Sequence, residues 1–380
     1  KMTYSGSAGI VGVVSGVEGT NFGTLSTVPG AVAKVAFTTQ PGSAVYGSDL
    51  NPQPVVKTQD QFGNNSTSGL GANNIVTLAL IVAGALQGTA SINIGTSGGN
   101  GTATFGGLTV DEVGEKQLTA VPQQGYGSAT SSPFSITQKP LTATITVGDK
   151  VYDGVVDATI TSRTPVGAVF ADVLTLSDGT AAFFDKNVGA GKIVSATGLV
   201  LSGVKAGNYS YDGTAVGSAN ITAKTLTVSA TSANKIYDGN TTADVTLSDD
   251  RVDGDIFTVS NASATFSDKN VGVVKTVTVN GISIMGADAG NYILGNTTTV
   301  TTADITSVNL TATITANNKV YDATTIATIT GRALIGVIGA DDVTAVGGAA
   351  TFNTKNVGVG KTVSATGITL LGVDAGNYIY

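Results

Sequence analysis

Tyr152-Asp153-Gly154, Tyr237-Asp238-Gly239 and Tyr321-Asp322-Ala323 open three copies of one unit, spaced about 85 residues apart. A second marker follows each: Asp185-Lys186-Asn187-Val188-Gly189, Asp268-Lys269-Asn270-Val271-Gly272 and Thr354-Lys355-Asn356-Val357-Gly358. A third closes it: Ala206-Gly207-Asn208-Tyr209, Ala289-Gly290-Asn291-Tyr292 and Ala375-Gly376-Asn377-Tyr378. Repetition at a fixed period marks an array of small bricks, each packed on its neighbours. An enzyme needs one active site, whereas a spacer needs the same brick many times.

Around these markers, apolar and small polar residues alternate, as in Leu141-Thr142-Ala143-Thr144-Ile145-Thr146-Val147 and Lys275-Thr276-Val277-Thr278-Val279. Period two gives a strand one face for a core and one for water. Gly, Asn and Asp punctuate these runs roughly every ten residues, and no long helical period is present. The expectation is an all-β chain, a tandem array of small Ig-like β-sandwich modules, with a β-grasp-like sheet as the alternative for the repeats. The connectors Ile136-Thr137-Gln138-Lys139-Pro140, Ile221-Thr222-Ala223-Lys224-Thr225 and Ile305-Thr306-Ser307-Val308-Asn309 line up. They are short and β-prone, which restricts swivelling between modules and implies a semi-rigid, elongated array.

The chain divides into 1–30, the end of a preceding unit; 31–138, an Ig-like sandwich; and repeats at 139–222, 223–306 and 307–380. Ser15-Gly16-Val17-Glu18-Gly19-Thr20-Asn21-Phe22 is similar to Ser202-Gly203-Val204-Lys205-Ala206-Gly207-Asn208-Tyr209. The third repeat stops at Tyr380, where its siblings continue for about a dozen residues to a closing strand. An excerpt of something longer is expected, or completion of the open end by strand addition from another chain.

Composition narrows the function. The chain is 41% apolar, enough for real cores despite 51 glycines. Only 12% is charged and the net charge is −7, with no Lys/Arg cluster, so nucleic acid is not an expected partner. Without cysteine there are no disulfides, zinc-thiolate sites or thiol nucleophiles. Without histidine, the commonest general base and metal ligand is missing. No stretch reaches the roughly 18 apolar residues that span a bilayer; the longest, Ile75 to Leu86, reads as strand material. The glycine run Gly98-Gly99-Asn100-Gly101 sits in a hairpin context rather than between strand and helix. No catalytic residue is expected, and no enzyme.

The three markers together resemble the YDG-type repeat of large bacterial surface adhesins, the filamentous-haemagglutinin-like proteins. Residues 31–138 resemble the bacterial Ig-like repeats of the same class. The resemblance implies an extracellular, cell-surface location and a role in adhesion or matrix architecture. The third repeat departs from it at Ala323 and Thr354. The expected function is a structural stalk that spaces a binding tip from the cell. The alternatives are a filament or sheath subunit completed between chains, and a glycan-binding module. Expected partners are neighbouring modules, copies of the chain, or surface glycans and matrix.

Each marker also has its own chemistry. Tyr152, Tyr237 and Tyr321, each followed by Asp153, Asp238 or Asp322, read as corner tyrosines with an aspartate capping the turn, or as an aromatic-and-carboxylate glycan platform. Lys186-Asn187, Lys269-Asn270 and Lys355-Asn356 read as loops with Asn or Gly at positive φ. Lys150, Lys235 and Lys319 are candidates for an isopeptide cross-link to Asn208, Asn291 and Asn377. The Gly-Asn-Tyr closes, at Asn208-Tyr209, Asn291-Tyr292 and Asn377-Tyr378, read as left-handed turns with Tyr plugging the core edge. Asp249, Asp250, Asp253 and Asp255, with Asp341-Asp342 loosely equivalent, form the densest acidic group and a weak calcium candidate. No other cofactor is expected.

Overall fold

The computed structural model describes residues 28–380 throughout and, ahead of them, the backbone of four short strands (Ser7–Gly9, Val13–Val14, Val17–Glu18 and Thr24–Ser26). The expected remnant of a preceding unit at 1–30 lies almost entirely outside the described residues. The chain is all-β, its helical content among the described residues being three single turns of 3-10 helix.

Two compact units are present: residues 1–148, 157–184 and 191–219 in one, and 149–156, 185–190 and 220–380 in the other. The division does not follow the sequence repeat. The Tyr152 turn and the Lys186 loop of the first repeat pack with the second repeat, not with the body of their own.

In the first unit, residues 31–138 form a sandwich. One sheet runs in the order Ser91–Asn93, Ile75–Leu80, Leu118–Pro122, Ala129–Thr130, and another in the order Thr102–Thr104, Val55–Gln59, Lys34–Thr39. Their inward residues, among them Val35, Val56, Val76, Leu78, Ala103 and Leu118, share one core. Alternation works as period two requires: Val76 and Leu78 are buried while Thr77 between them is exposed. The apolar run from Ile75 is a strand to Leu80, then turns away.

The repeats follow the β-grasp-like alternative. In the first, the opening strand Thr142–Val147 pairs antiparallel with Ile160–Val166 and parallel with the closing strand Ala215–Thr222. The closing strand lies next to Gly189–Ser202, which pairs antiparallel with Thr175–Phe183. First and last strands thus sit side by side at the centre, flanked by hairpins. The sheet curls until Arg163 Nε donates to the Asp178 carbonyl across its edges. Ile145, Val147, Phe183, Val194, Ala196 and Ala219 fill the inside.

In the second repeat, Thr298–Thr306 occupies the same central place, paired with Gly272–Asn280 and lying beside Val228–Ser232. In the third, Thr311–Ala316 with its partner Ile329–Ile335 and Val363–Leu371 with its partner Thr344–Phe352 are both present. Among the described residues no strand lies between them. Val194 and Ala196 of the first repeat are fully buried, whereas the equivalent Val363 and Ala365 are half-buried.

Each connector is pinned rather than free. Lys139–Pro140, Lys224–Leu226 and Val308–Asn309 pair parallel with the residues that follow each Gly-Asn, at Tyr209–Ser210, Tyr292–Leu294 and Tyr378–Ile379.

The opening turns are Asx turns, as expected. Asp153, Asp238 and Asp322 each accept the backbone N–H two residues on and pair with Lys150, Lys235 and Lys319. Gly154 and Gly239 sit at φ 82° and 78°, and Ala323 takes φ 67° in the same place. There the Cβ of alanine meets the following carbonyl oxygen, which costs about 1 kcal/mol. Ala323→Gly is expected to stabilise the third repeat by about 1 kcal/mol, read as a shift in its denaturant midpoint; an unchanged or lower midpoint would contradict the strain.

Candidate functional site: the inter-module joint

The side chains that the markers repeat meet at the boundaries between modules. Tyr152 sits at the far corner of the first repeat, its N–H donating to the carbonyl of Thr222 at the end of the closing strand. Its hydroxyl reaches forward and donates to Asp255 of the second repeat, 2.9 Å from each carboxylate oxygen. Tyr292 donates to the same carboxylate and accepts the Val252 N–H at 2.8 Å. The two rings stand edge to face with centroids 5.5 Å apart. Lys186 closes the arrangement, its Nζ 2.8 Å from Asp255 Oδ1.

The second joint repeats this atom for atom. Tyr237 and Tyr378 donate to Asp341 at 2.7 and 2.6 Å, with ring centroids 5.6 Å apart, and Lys269 Nζ lies 3.1 Å from the carboxylate. Ile338 N–H donates to the Tyr378 hydroxyl. The sandwich makes the same contact with the first repeat: Tyr46 and Tyr209 donate to Asp172 at 2.8 and 2.7 Å, with rings 5.3 Å apart.

A second clasp lies beside each tyrosine pair. Asn291 Oδ1 accepts the Val188 N–H at 2.9 Å, and its Nδ2 donates to Asn187 Oδ1. Asn377 does the same to Val271 and Asn270, and Asn208 accepts from Val113. All three asparagines are buried. The Ala-Gly-Asn segments are single right-handed 3-10 turns, and neither Gly207, Gly290 and Gly376 nor the asparagines take positive φ. The left-handed turn expected there is therefore corrected: the tight turn aims the amide outward across the boundary. Positive φ is likewise absent from the Asp-Lys-Asn-Val-Gly loops. In the first two repeats Asp185 and Asp268 shape those loops by accepting the Asn187 and Asn270 N–H at 2.8 Å.

Electrostatics fix the protonation states. Burial alone would raise the Asp255 and Asp341 carboxyls. The lysine and the two phenol O–H groups on each outweigh it and hold both below the ordinary carboxylate value. Desolvation, with the adjacent carboxylate, pushes Tyr378 up to about 12 and raises Tyr292, Tyr152 and Tyr237. The tyrosines are thus neutral donors and the aspartates charged acceptors at neutral pH.

The other candidates lie apart. Arg251 binds Asp249 through two nitrogens. Asp250 accepts the Thr227 N–H at 2.7 Å. Asp342 donates its own N–H to Asp374. No three acidic side chains gather into a cation site among the described residues. Lys150, Lys235 and Lys319 donate to carbonyls of their own opening turns. The rings of Tyr152 and Tyr237 are 2% exposed, whereas Tyr321 is 55% exposed. The sequence marks Asp255 and Asp341 only as acidic residues, with Asp172 as their counterpart in the first repeat, and does not mark Tyr46 or the Asp111-Glu112-Val113 segment. The signal for the last lies in Val45-Tyr46-Gly47 and Val113-Gly114, which echo Val151-Tyr152-Asp153 and Val188-Gly189.

The family model of the YDG domain matches residues 137–216, 222–302 and 306–380, more than half of the sequence. The chain belongs to the YDG domain family. Each YDG module thus carries one half of a joint at each end. No curated protein matches the chain. Among solved structures, surface layer protein SbsC, domains 4-9, is similar at 13% identity, covering 98% of this chain and 68% of that chain, with a TM-score of 0.19; a value that low carries no argument about the YDG modules.

Because Asp255 and Asp341 are held below their ordinary value, their contribution is complete above about pH 4 and is lost as pH falls through the folded-state value. Asp255→Ala leaves two buried hydroxyls and a lysine without their acceptor and is expected to cost about 2 kcal/mol at neutral pH. Acid titration of unfolding free energy checks both: the variant should lose less stability than the parent below pH 4, and parallel curves would refute the assignment.

Proposed function

We propose that the chain is a structural segment of an extracellular bacterial surface protein, a stalk in which joined modules hold a binding element away from the cell. The observation that carries this is the joint, made three times around a tyrosine pair on one aspartate. A tyrosine pair on a shared carboxylate and an asparagine clasp fix each boundary at several points, and the parallel-paired connector removes the swivel a free linker would have. In such an array each added module extends the reach by a constant step. The surface of Thr, Ser, Asn and Gly, the lack of cysteine, and the likeness to adhesin repeats support an extracellular setting. No helix among the described residues is long and apolar enough to cross a membrane. Calcium is given no part, since the joint carboxylates already hold protein donors.

Small-angle scattering tests this. The parent is expected to show one narrow distance distribution, unchanged by a chelator, and a combined Asp255→Ala and Asp341→Ala variant a broader one. A parent as broad as the variant would remove the rigid-joint basis.

A second reading is a subunit completed by strand addition, in which the third repeat accepts a strand between Thr311–Ala316 and Val363–Leu371, the place that the closing strand holds in the first two repeats. Asn318 stands where Asp149 and Asn234 accept the N–H of Asn220 and Asp304 from the closing strands. A synthetic peptide with the sequence of residues 296–307 is expected to bind once per chain and slow amide exchange in both flanking strands. The same peptide with Ile305→Asp should not, because Ile305 is a buried residue of the closing strand. Equal behaviour of the two peptides would count against a strand-shaped site.

A further inference from the structure

The three joints differ at one pair of positions. Val113, Val188 and Val271 donate to equivalent asparagines, so Asp111, Lys186 and Lys269, each two residues before, occupy equivalent places. Opposite them, the residue before each Ala-Gly-Asn is Lys205, Asp288 or Asp374. The signs are reversed as a pair. Lys205 Nζ lies 3.7 Å from Asp111 and 3.2 Å from Glu112 of the sandwich. Lys186 lies 3.8 Å from Asp288, and Lys269 lies 3.3 Å from Asp374.

Each wrong pairing would set like charges against one another. The first repeat on another repeat would bring Lys205 to Lys186 or Lys269. The second or third repeat on the sandwich would bring Asp288 or Asp374 to Asp111 and Glu112. Like charges at a half-buried contact select against a partner more strongly than a matched pair rewards one.

Tyr321, Lys355, Asn356 and Val357 correspond to Tyr237, Lys269, Asn270 and Val271, and all four are exposed. Val357 is 88% exposed, whereas Val188 and Val271 are half-buried against their asparagines.

We propose that the charge at positions 205, 288 and 374 selects the neighbour at each joint. The central aspartate tolerates either polarity, because Asp172 is served by Tyr46 and Tyr209 without a lysine from position 111.

In the full chain, Lys269→Asp and Asp374→Lys, made separately and together, test the rule. Amide exchange at Val271 reads the joint directly, independently of overall shape. Each single change is expected to speed it by about 10-fold, and the pair to return it to within about 3-fold of the parent. A pair no slower than the faster single variant would overturn the rule.

Discussion

One carboxylate, buried between two tyrosines that belong to different modules, is the constraint on which the array depends. Asp255 accepts from Tyr152 and Tyr292, and neither hydroxyl has another acceptor of comparable strength within reach. A charge inside protein is costly unless several donors meet it. Here the donors come partly from the preceding module, so the module bearing the aspartate is left with an under-served charge whenever that neighbour is absent. Stability and connectivity are thus tied to the same atoms. The tilted rings keep water from the carboxylate, and the asparagine clasp beside them fixes the rotation that two hydroxyls alone would leave free.

Much of the local structure was legible in the sequence. Alternation in Thr142–Val147 named a strand, the Asp after each opening tyrosine named an Asx turn, and three ordered markers fixed the period. The joint was not legible, for a physical reason. Tyr152 and Asp255 are separated by more than one full repeat, and each recurs with the same period as everything else. Periodicity reports that both are present in every unit. It is silent on whether a residue meets its own unit or the next. The acidic group at 249–255 looked uniform as text, yet Asp249 binds Arg251 within its own loop while Asp255 faces the preceding module.

The third repeat shows what completion does to the others. Pairing of opening strand with second strand, and of third with fourth, recurs in all three repeats. Burial of Val194 and Ala196, against half-exposure of Val363 and Ala365, measures what the central strand adds. The closing strand also positions the corner tyrosine, since the Thr222 and Thr306 carbonyls accept the Tyr152 and Tyr237 N–H. Core and joint are therefore finished by the same short segment.

Because the two halves of a joint sit at opposite ends of one unit, a gene can gain or lose whole units of the second and third kind by unequal recombination without mismatching any boundary. The first unit has no such freedom: its lysine at position 205 ties it to the sandwich. Variation in copy number would therefore fall among units of the second and third kind, while the sandwich and the first repeat stay paired.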